Sequence, residues 1–545
     1  MNGHNIGGLI DRFAEETPDR DAIIVPHKKQ SISFSALQRE SDAIACGLIR
    51  KGLEKGDRVL VMTPFGIEFM AITFALFRAG LTPSLIDPGM GRKHILKCIT
   101  ETQPAAMIAS PLAHIIRRFF PAPFQSVRHF ITVGNTWLCG GVSLQKIKQE
   151  GSQPVDLPIT QPDDPAAILF TSGSTGPPKG ACYTHGMFLQ QTQLLQSAYD
   201  IQAGQTDLPT FPLFALFGIG LGMTAIIPDM DFTRPAKADP QRITRLIQER
   251  NIDSSFGSPA LWNTVARYCQ ANKVSLPGLK RILIAGAPVP GSLLKRFDDF
   301  LSEDCRVFTP YGATEALPVA SIERREILNE TWQRSEEGEG VCVGRPVEGM
   351  QFSVIRISDD PIEEWSSELL APEGEVGELV AKAPWVTQAY FNRPEATRLS
   401  KIKDGDRFRH RMGDLGRQDA SGRIWFYGRK SQRVVCESRT IYTIPCEAIF
   451  NRHPQVRRSA LVGVGEWGKQ TPLIIIELEP SSSPVNRNAL RAELLELARR
   501  YPASDSIRQV LFYPEFPVDI RHNAKIFREQ LAKWAETQGP QDSSA

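Results

Sequence analysis

Residues 168–185 read ILFTSGSTGPPKGACYTH, an apolar run that opens into Thr171, Ser172, Gly173, Ser174, Thr175 and Gly176, with Lys179 and Gly180 beyond two prolines. Glycines let a backbone approach a ligand closely and turn its N–H groups inward as an anion nest. The hydroxyls of Thr171, Ser172, Ser174 and Thr175 add donors for phosphate oxygens, and Lys179 adds a mobile point charge. This composition favours a loop that cradles a phosphate. Its spacing departs from GxxxxGK[ST]: the lysine lies beyond Pro177 and Pro178, and no Ser or Thr follows it to hold magnesium. That argues against a Walker-type NTPase.

Four more short stretches carry groups that a nucleotide needs: AGAPVP (285–290), YGATEA (311–316), MGDLGR (412–417) and YGRK (427–430). Ribose requires a carboxylate acceptor, adenine a ring face, and a polyphosphate requires donors plus a divalent metal. Taken singly, Asp414 reads equally as a turn residue and Glu315 as a helix-start acid. Taken together and in this order, the five stretches resemble the adenylate-forming superfamily of acyl-CoA synthetases, luciferases and peptide-synthetase adenylation domains. The resemblance spans nearly the whole chain.

The resemblance implies ATP and Mg²⁺ as cofactors and assigns roles position by position. Residues Thr171 to Gly176 with Lys179 form the phosphate loop, and Gly286, Ala287 and Pro288 the adenine-side loop. Tyr311 stacks on adenine at the head of Gly312 and Ala313, Thr314 contacts the α-phosphate, and Glu315 helps to hold the metal. Asp414 binds the ribose hydroxyls, and Arg429 contacts ribose or phosphate at a domain joint. Lys525, in FPVDIRHNAKIFRE (516–529), takes the place of the lysine that neutralises charge during attack of a carboxylate on the α-phosphorus of ATP. Thr175, Glu315, His522 and Lys525 are the implied catalytic set.

Three departures separate this chain from the thiolating branch. The Ser-Gly that usually precedes the lysine is Asn523-Ala524; the glycine pair that lines a pantetheine tunnel is Arg439-Thr440; and the hinge position, usually Asp or Lys, is Ser431. FPLFALFG (211–218) also lacks the histidine often found in the acyl-binding motif; Phe211, Phe214 and Phe217 read equally as a pocket wall or as core. With YGATEALPVA, IYTIPCEA and DIRHNAKI, these phrases most closely resemble the olefin-pathway β-lactone synthetases. The implied reaction adenylates a 2-alkyl-3-hydroxy fatty acid, whose own hydroxyl then expels AMP and closes a lactone. A nucleophile carried within the substrate has no need of a coenzyme A tunnel and gains an effective molarity of up to ~10⁵ M or more. His522 is placed either to accept that hydroxyl's proton or to orient Lys525. The alternative is a long-chain fatty-acyl-CoA or fatty-acyl-AMP ligase, which shares every adenylation motif. His185, beside the phosphate loop, reads as a structural or gating residue.

The elements that must position these groups are legible as alternation. DRVLVMTP (57–64), LTPSLID (81–87), AAMIAS (105–110), HFITVG (129–134), AAILFTS (166–172) and RILIAGAP (281–288) read as strands, and IEFMAITFALFRAG (67–80) as a buried helix. Strand–helix alternation predicts an α/β fold with mostly parallel sheets layered with helices, its ligands at the carboxyl ends of strands. After residue 428 the texture changes to two strands within 460–480 and a helix over 488–500. We divide the chain into an adenylation domain (1–428), a hinge (429–433) and a small mobile α+β domain (434–545) carrying the lysine loop.

Composition sets the outer limits. The chain has 545 residues and a net charge of +2, which gives no electrostatic case for nucleic acid or an anionic membrane. Nine scattered cysteines without a CxxC pair argue against a disulfide framework and fit a reducing cytoplasm. The start shows no apolar signal segment. The uncharged stretch 208–228 is about long enough to span a bilayer, but its three prolines and three glycines favour a buried core element over a span. The partners expected are a fatty (3-hydroxy) acid and, by resemblance alone, enzymes that supply the acid and remove the lactone.

Overall fold

The apolar runs fold as two seven-stranded, mostly parallel sheets. A computed structural model describes residues 4–137, 139–171, 177–480, 485–519 and 526–538. In the first sheet the order is Val142–Ser143, His129–Thr132, Ala106–Ala109, Arg58–Met62, Thr82–Leu85, Pro165–Thr171, Lys179–Thr184. Only the last strand runs antiparallel, paired with its neighbour through a hairpin in which Thr171 faces Lys179. The second sheet runs Arg306–Phe308, Arg281–Ile284, Ser254–Gly257, Thr206–Pro209, Thr224–Ile226, Asp21–Val25, Gln30–Ser33, again with one antiparallel edge.

One hydrophobic core joins the two sheets through the helices Phe34–Arg50, Ile67–Arg78, His185–Tyr199 and Pro212–Gly220. A helix apolar on every face must be buried on every face, and Ile67–Arg78 is buried from Phe69 onward. Its terminal Arg78 is buried as well, and pairs with Asp11 and Asp42, each at 2.6 Å. The stretch 208–228 becomes the end of a strand, the helix Pro212–Gly220 and the strand Thr224–Ile226. Among the described residues no helix is long and apolar enough to cross a membrane.

A third sheet does not follow from strand–helix alternation. Eight strands between Tyr311 and Arg429 pair antiparallel throughout. They are joined by turns and short helical segments rather than by long crossover helices, so the local pattern resembles irregular chain.

Beyond Val434 the strands Val456–Val464, Thr471–Leu478 and Val510–Phe512 form a separate sheet. Alternate residues serve opposite faces. Leu461, Ile474, Ile476 and Val510 meet Leu490 and Leu494 of the helix Arg487–Arg499. Ala460, Val462, Ile475 and Leu511 meet Leu531 and Ala535 of the helix Arg528–Thr537.

Candidate active site

Parallel pairing gathers the motif loops at one end of the second sheet. Leu283 pairs with Phe308, so the loop Gly286–Pro288 and the start of Tyr311–Ala313 emerge side by side from neighbouring strands. Gly286 has φ +102°, a conformation that side-chain-bearing residues rarely adopt. Gly312 is required by space instead, since a Cβ there would lie 2.4 Å from the carbonyl oxygen of Ala316.

Tyr311, Asp414 and Arg429 form one cluster. The Tyr311 hydroxyl donates to Asp414 Oδ2 at 2.6 Å, and Arg429 Nη1 lies 2.9 Å from Asp414 Oδ1. Asp414 and Arg429 are register partners on adjacent antiparallel strands. Asp414 is only 4% exposed. Burial, then the carboxylate beside it, holds the Tyr311 phenol well above its ordinary range, so it remains a donor. The Asp414 carboxylate holds the Arg429 guanidinium above its own usual value.

Glu315 anchors a second cluster and is 7% exposed. Its Oε1 accepts a hydrogen bond from the Tyr390 hydroxyl at 2.6 Å. Its carbonyl accepts from the Thr387 N–H at 2.9 Å and the Thr387 hydroxyl at 3.2 Å. Lys179 Nζ stands 5.1 Å from the Tyr390 ring centroid. Burial lowers the Lys179 amine's pKa while the Glu315 charge opposes that shift. Next in sequence, the Thr314 carbonyl accepts from the Tyr183 hydroxyl.

Glu315 fits a nucleotide-borne magnesium ion. Among the described residues no three His, Cys, Asp or Glu side chains gather as a metal cage. A single buried carboxylate suits Mg²⁺, which keeps much of its water and takes its remaining oxygens from phosphates.

Of the phenylalanines of 211–218, one packs into the core and two are partly exposed. Phe217 is buried, and its ring centroid lies 6.1 Å from that of Phe188, which stacks on Tyr183 at 4.6 Å. Phe211 and Phe214 are half-buried, and Phe214 stacks on Phe256 at 3.4 Å and 9°. A continuous aromatic run therefore leads from the half-buried Phe211 and Phe214 to Tyr183, which bonds the Thr314 carbonyl.

His185 is structural. It is fully buried, its Nδ1 accepts from the Ile6 N–H at 3.3 Å, and burial pushes its pKa down to about 4. Arg439 folds back onto the C-terminal segment, where its guanidinium meets Asp505 Oδ1 at 2.7 Å and the Pro502 carbonyl at 2.6 Å. The loop residues Ser172, Gly173, Ser174, Thr175 and Gly176, together with His522 and Lys525, lie outside the described residues.

Three residues that motif reading passed over complete the second cluster: Thr387, Tyr390 and Lys401. Lys401 is 3% exposed, and burial pushes its amine down to about 7 against the opposing pull of Glu315 and Cys182. Nearby His410 is also buried, with Nδ1 at 3.2 Å from the Ser400 carbonyl. Burial and the adjacent Lys401 hold it far below the usual imidazole range, so it is neutral and Nδ1–H donates. Tyr390 sits in QAYFNRPEAT, an aromatic ahead of a helix start; nothing in the sequence marks Lys401 as special.

The pattern of the AMP-binding enzyme family matches residues 10–391. This chain belongs to that family. Among AMP-binding enzymes it is 44% identical to the olefin beta-lactone synthetase of Xanthomonas campestris pv. campestris, over 98% of each chain. It is also 44% identical to the olefin beta-lactone synthetase of Stenotrophomonas maltophilia, again over 98% of each. A solved structure of O-succinylbenzoate coenzyme A synthetase from Bacillus subtilis, in complex with ATP and magnesium ion, matches with a TM-score of 0.75 at 20% identity. That match covers 96% of this chain and 99% of the other, and is a likeness of fold.

Proposed function

We propose that this AMP-binding enzyme activates a 2-alkyl-3-hydroxyalkanoic acid with ATP and closes it to a β-lactone. The carboxylate oxygen attacks the α-phosphorus, pyrophosphate leaves, and acyl-AMP forms. The 3-hydroxyl oxygen then attacks the acyl carbon, the bond from that carbon to the AMP oxygen breaks, and the hydroxyl proton passes to a base. The observation that carries the proposal is the end-to-end 44% identity to two proteins named olefin beta-lactone synthetase.

The geometry supports the first half-reaction. Tyr311 offers a ring face beside a carboxylate placed for the ribose hydroxyls, and Arg429 fixes that carboxylate from its other oxygen. Glu315, with Lys179 nearby, supplies the charge pattern for a metal-bound polyphosphate. Magnesium, when bound, would neutralise phosphate charge and align the α-phosphorus. In the same proposal Thr171 to Gly176 and Gly286 to Pro288 surround the nucleotide, Lys525 stabilises the developing charge, and His522 takes the hydroxyl proton or orients Lys525. Residues 1–428 form the adenylation domain and 434–545 the moving one. The hinge at 429–433 rests against the large body through Lys430, 3.0 Å from Glu378, and Arg433, 2.5 Å from Asp359. We place the enzyme in the cytoplasm, in peripheral contact with the enzymes that make its acid and consume its lactone.

The test incubates the protein with ATP, Mg²⁺ and a 2-alkyl-3-hydroxy acid in the absence of coenzyme A. Lactone and AMP should appear in equal amounts. Product that forms only after coenzyme A is added would establish the fatty-acyl-CoA ligase instead, and acyl-AMP that accumulates without lactone would establish the acyl-AMP ligase.

A further inference from the structure

Lys401 buries a charge for which the proposed reaction has no direct use. Its ammonium donates to the Thr387 carbonyl and, at 3.1 Å, to the Thr387 hydroxyl. That hydroxyl in turn donates to the Glu315 carbonyl, beside the bond from the Thr387 N–H. Three residues along, Tyr390 donates to the Glu315 carboxylate. One four-residue segment therefore holds Glu315 by both its backbone and its side chain. Lys401 fastens that segment from behind, with Nζ 5.9 Å from the Tyr390 ring centroid.

A buried ammonium is costly unless its donors are used and a counter-charge is near. Here two donors go to Thr387, and Glu315 is the carboxylate that favours the charged form. Packing alone would be met by methionine, which has a similar length and no desolvation cost. Methionine could make neither hydrogen bond to Thr387, so the amine ties this segment in a way that shape does not supply.

We infer that Lys401 is a positioning residue for Glu315, acting through Thr387 and Tyr390 to fix where the carboxylate points. The inference rests on the proposed adenylation, in which Glu315 faces the metal–nucleotide.

The experiment compares wild type, Lys401→Met and Thr387→Val in acid-dependent ATP–pyrophosphate exchange. It also measures Mn²⁺ binding to the protein–ATP complex by electron paramagnetic resonance, and thermal midpoints. Lys401→Met should keep or raise the midpoint, lower the exchange kcat at least tenfold and weaken Mn²⁺ binding several-fold. Thr387→Val, which removes the relay while leaving the lysine, should move the last two in the same direction. If both variants retain exchange and Mn²⁺ affinity within twofold of wild type, Lys401 only fills space and the inference fails. A Lys401→Met protein that does not fold leaves Thr387→Val to decide on the same two readouts. Wild type that shows no exchange refutes the adenylation reading, and the Mn²⁺ measurement then decides separately whether Lys401 orients Glu315.

Discussion

Tyr311 donates its hydroxyl to Asp414 at 2.6 Å, so the residue we propose to stack on adenine would also aim the carboxylate we propose to bind ribose. The two lie on different strands of the antiparallel sheet, and Arg429 holds the second carboxylate oxygen. In the proposed nucleotide complex, base and sugar recognition are thus mechanically coupled. Tyr311→Phe keeps the ring and loses the donor. A hydrogen bond to a charged group contributes about 1.5–3 kcal/mol, and part of that is realised in nucleotide binding. The KM for ATP should rise about tenfold, while the KM for the acid stays unchanged in steady-state assays.

Glu315→Gln preserves an oxygen for Tyr390 and removes the charge. If the carboxylate holds the metal–phosphate group, exchange kcat should fall by about 10²–10³-fold, the scale of losing one preorganised electrostatic contact. The protein should stay folded, as read by its thermal midpoint. Unaltered exchange would remove Glu315 from the metal role.

His185 makes stability depend on pH in a defined direction. Its folded-state pKa of about 4 lies below the ordinary value of 6.5, so the unfolded chain binds the proton more readily in between. Stability should fall as pH drops from about 6.5 to about 4 and then level off, a loss of about 3 kcal/mol. Denaturant midpoints across this window should show the slope, and His185→Gln should flatten it. Protonation also removes the acceptor for the Ile6 N–H, so hydrogen exchange at that amide should rise first.

Half-buried Arg528 pairs with buried Glu447 in the C-terminal sheet region. Arg528 Nε and Nη2 reach the two carboxylate oxygens at 2.9 and 2.6 Å, the Leu461 N–H adds a third bond, and Arg528 Nη1 meets Gln432 Oε1 at 3.1 Å. Arg528→Ala leaves a buried carboxylate without its counter-charge and should cost about 3–5 kcal/mol. Arg528→Ala with Glu447→Gln should recover part of it. Hydrogen exchange along Val456–Val464 reports the change.

Part of the candidate site's framework was legible because its signals are local. The turn at Gly286 and the close approach at Gly312 are written in residue type, and the strands ahead of the motif loops in continuous apolar runs. The antiparallel sheet between Tyr311 and Arg429 was not legible, since its strands pair across turns without the long crossover helices that make parallel units conspicuous. The stretch 208–228 has one composition and two physical outcomes; the turn after Pro209 and the helix end at Gly220 decided for the core.

By itself the sequence determined the fold class, the order of the nucleotide motifs and the branch of the family, because periodicity and short motifs survive in one dimension. Only the tertiary structure decided which polar groups meet. Lys401 finds Thr387, Tyr390 finds Glu315 seventy-five positions away, and Arg528 finds Glu447 eighty-one positions away. Those choices follow from burial: a charge or hydroxyl removed from water must take the partner that the packed chain places beside it, and no local pattern names that partner.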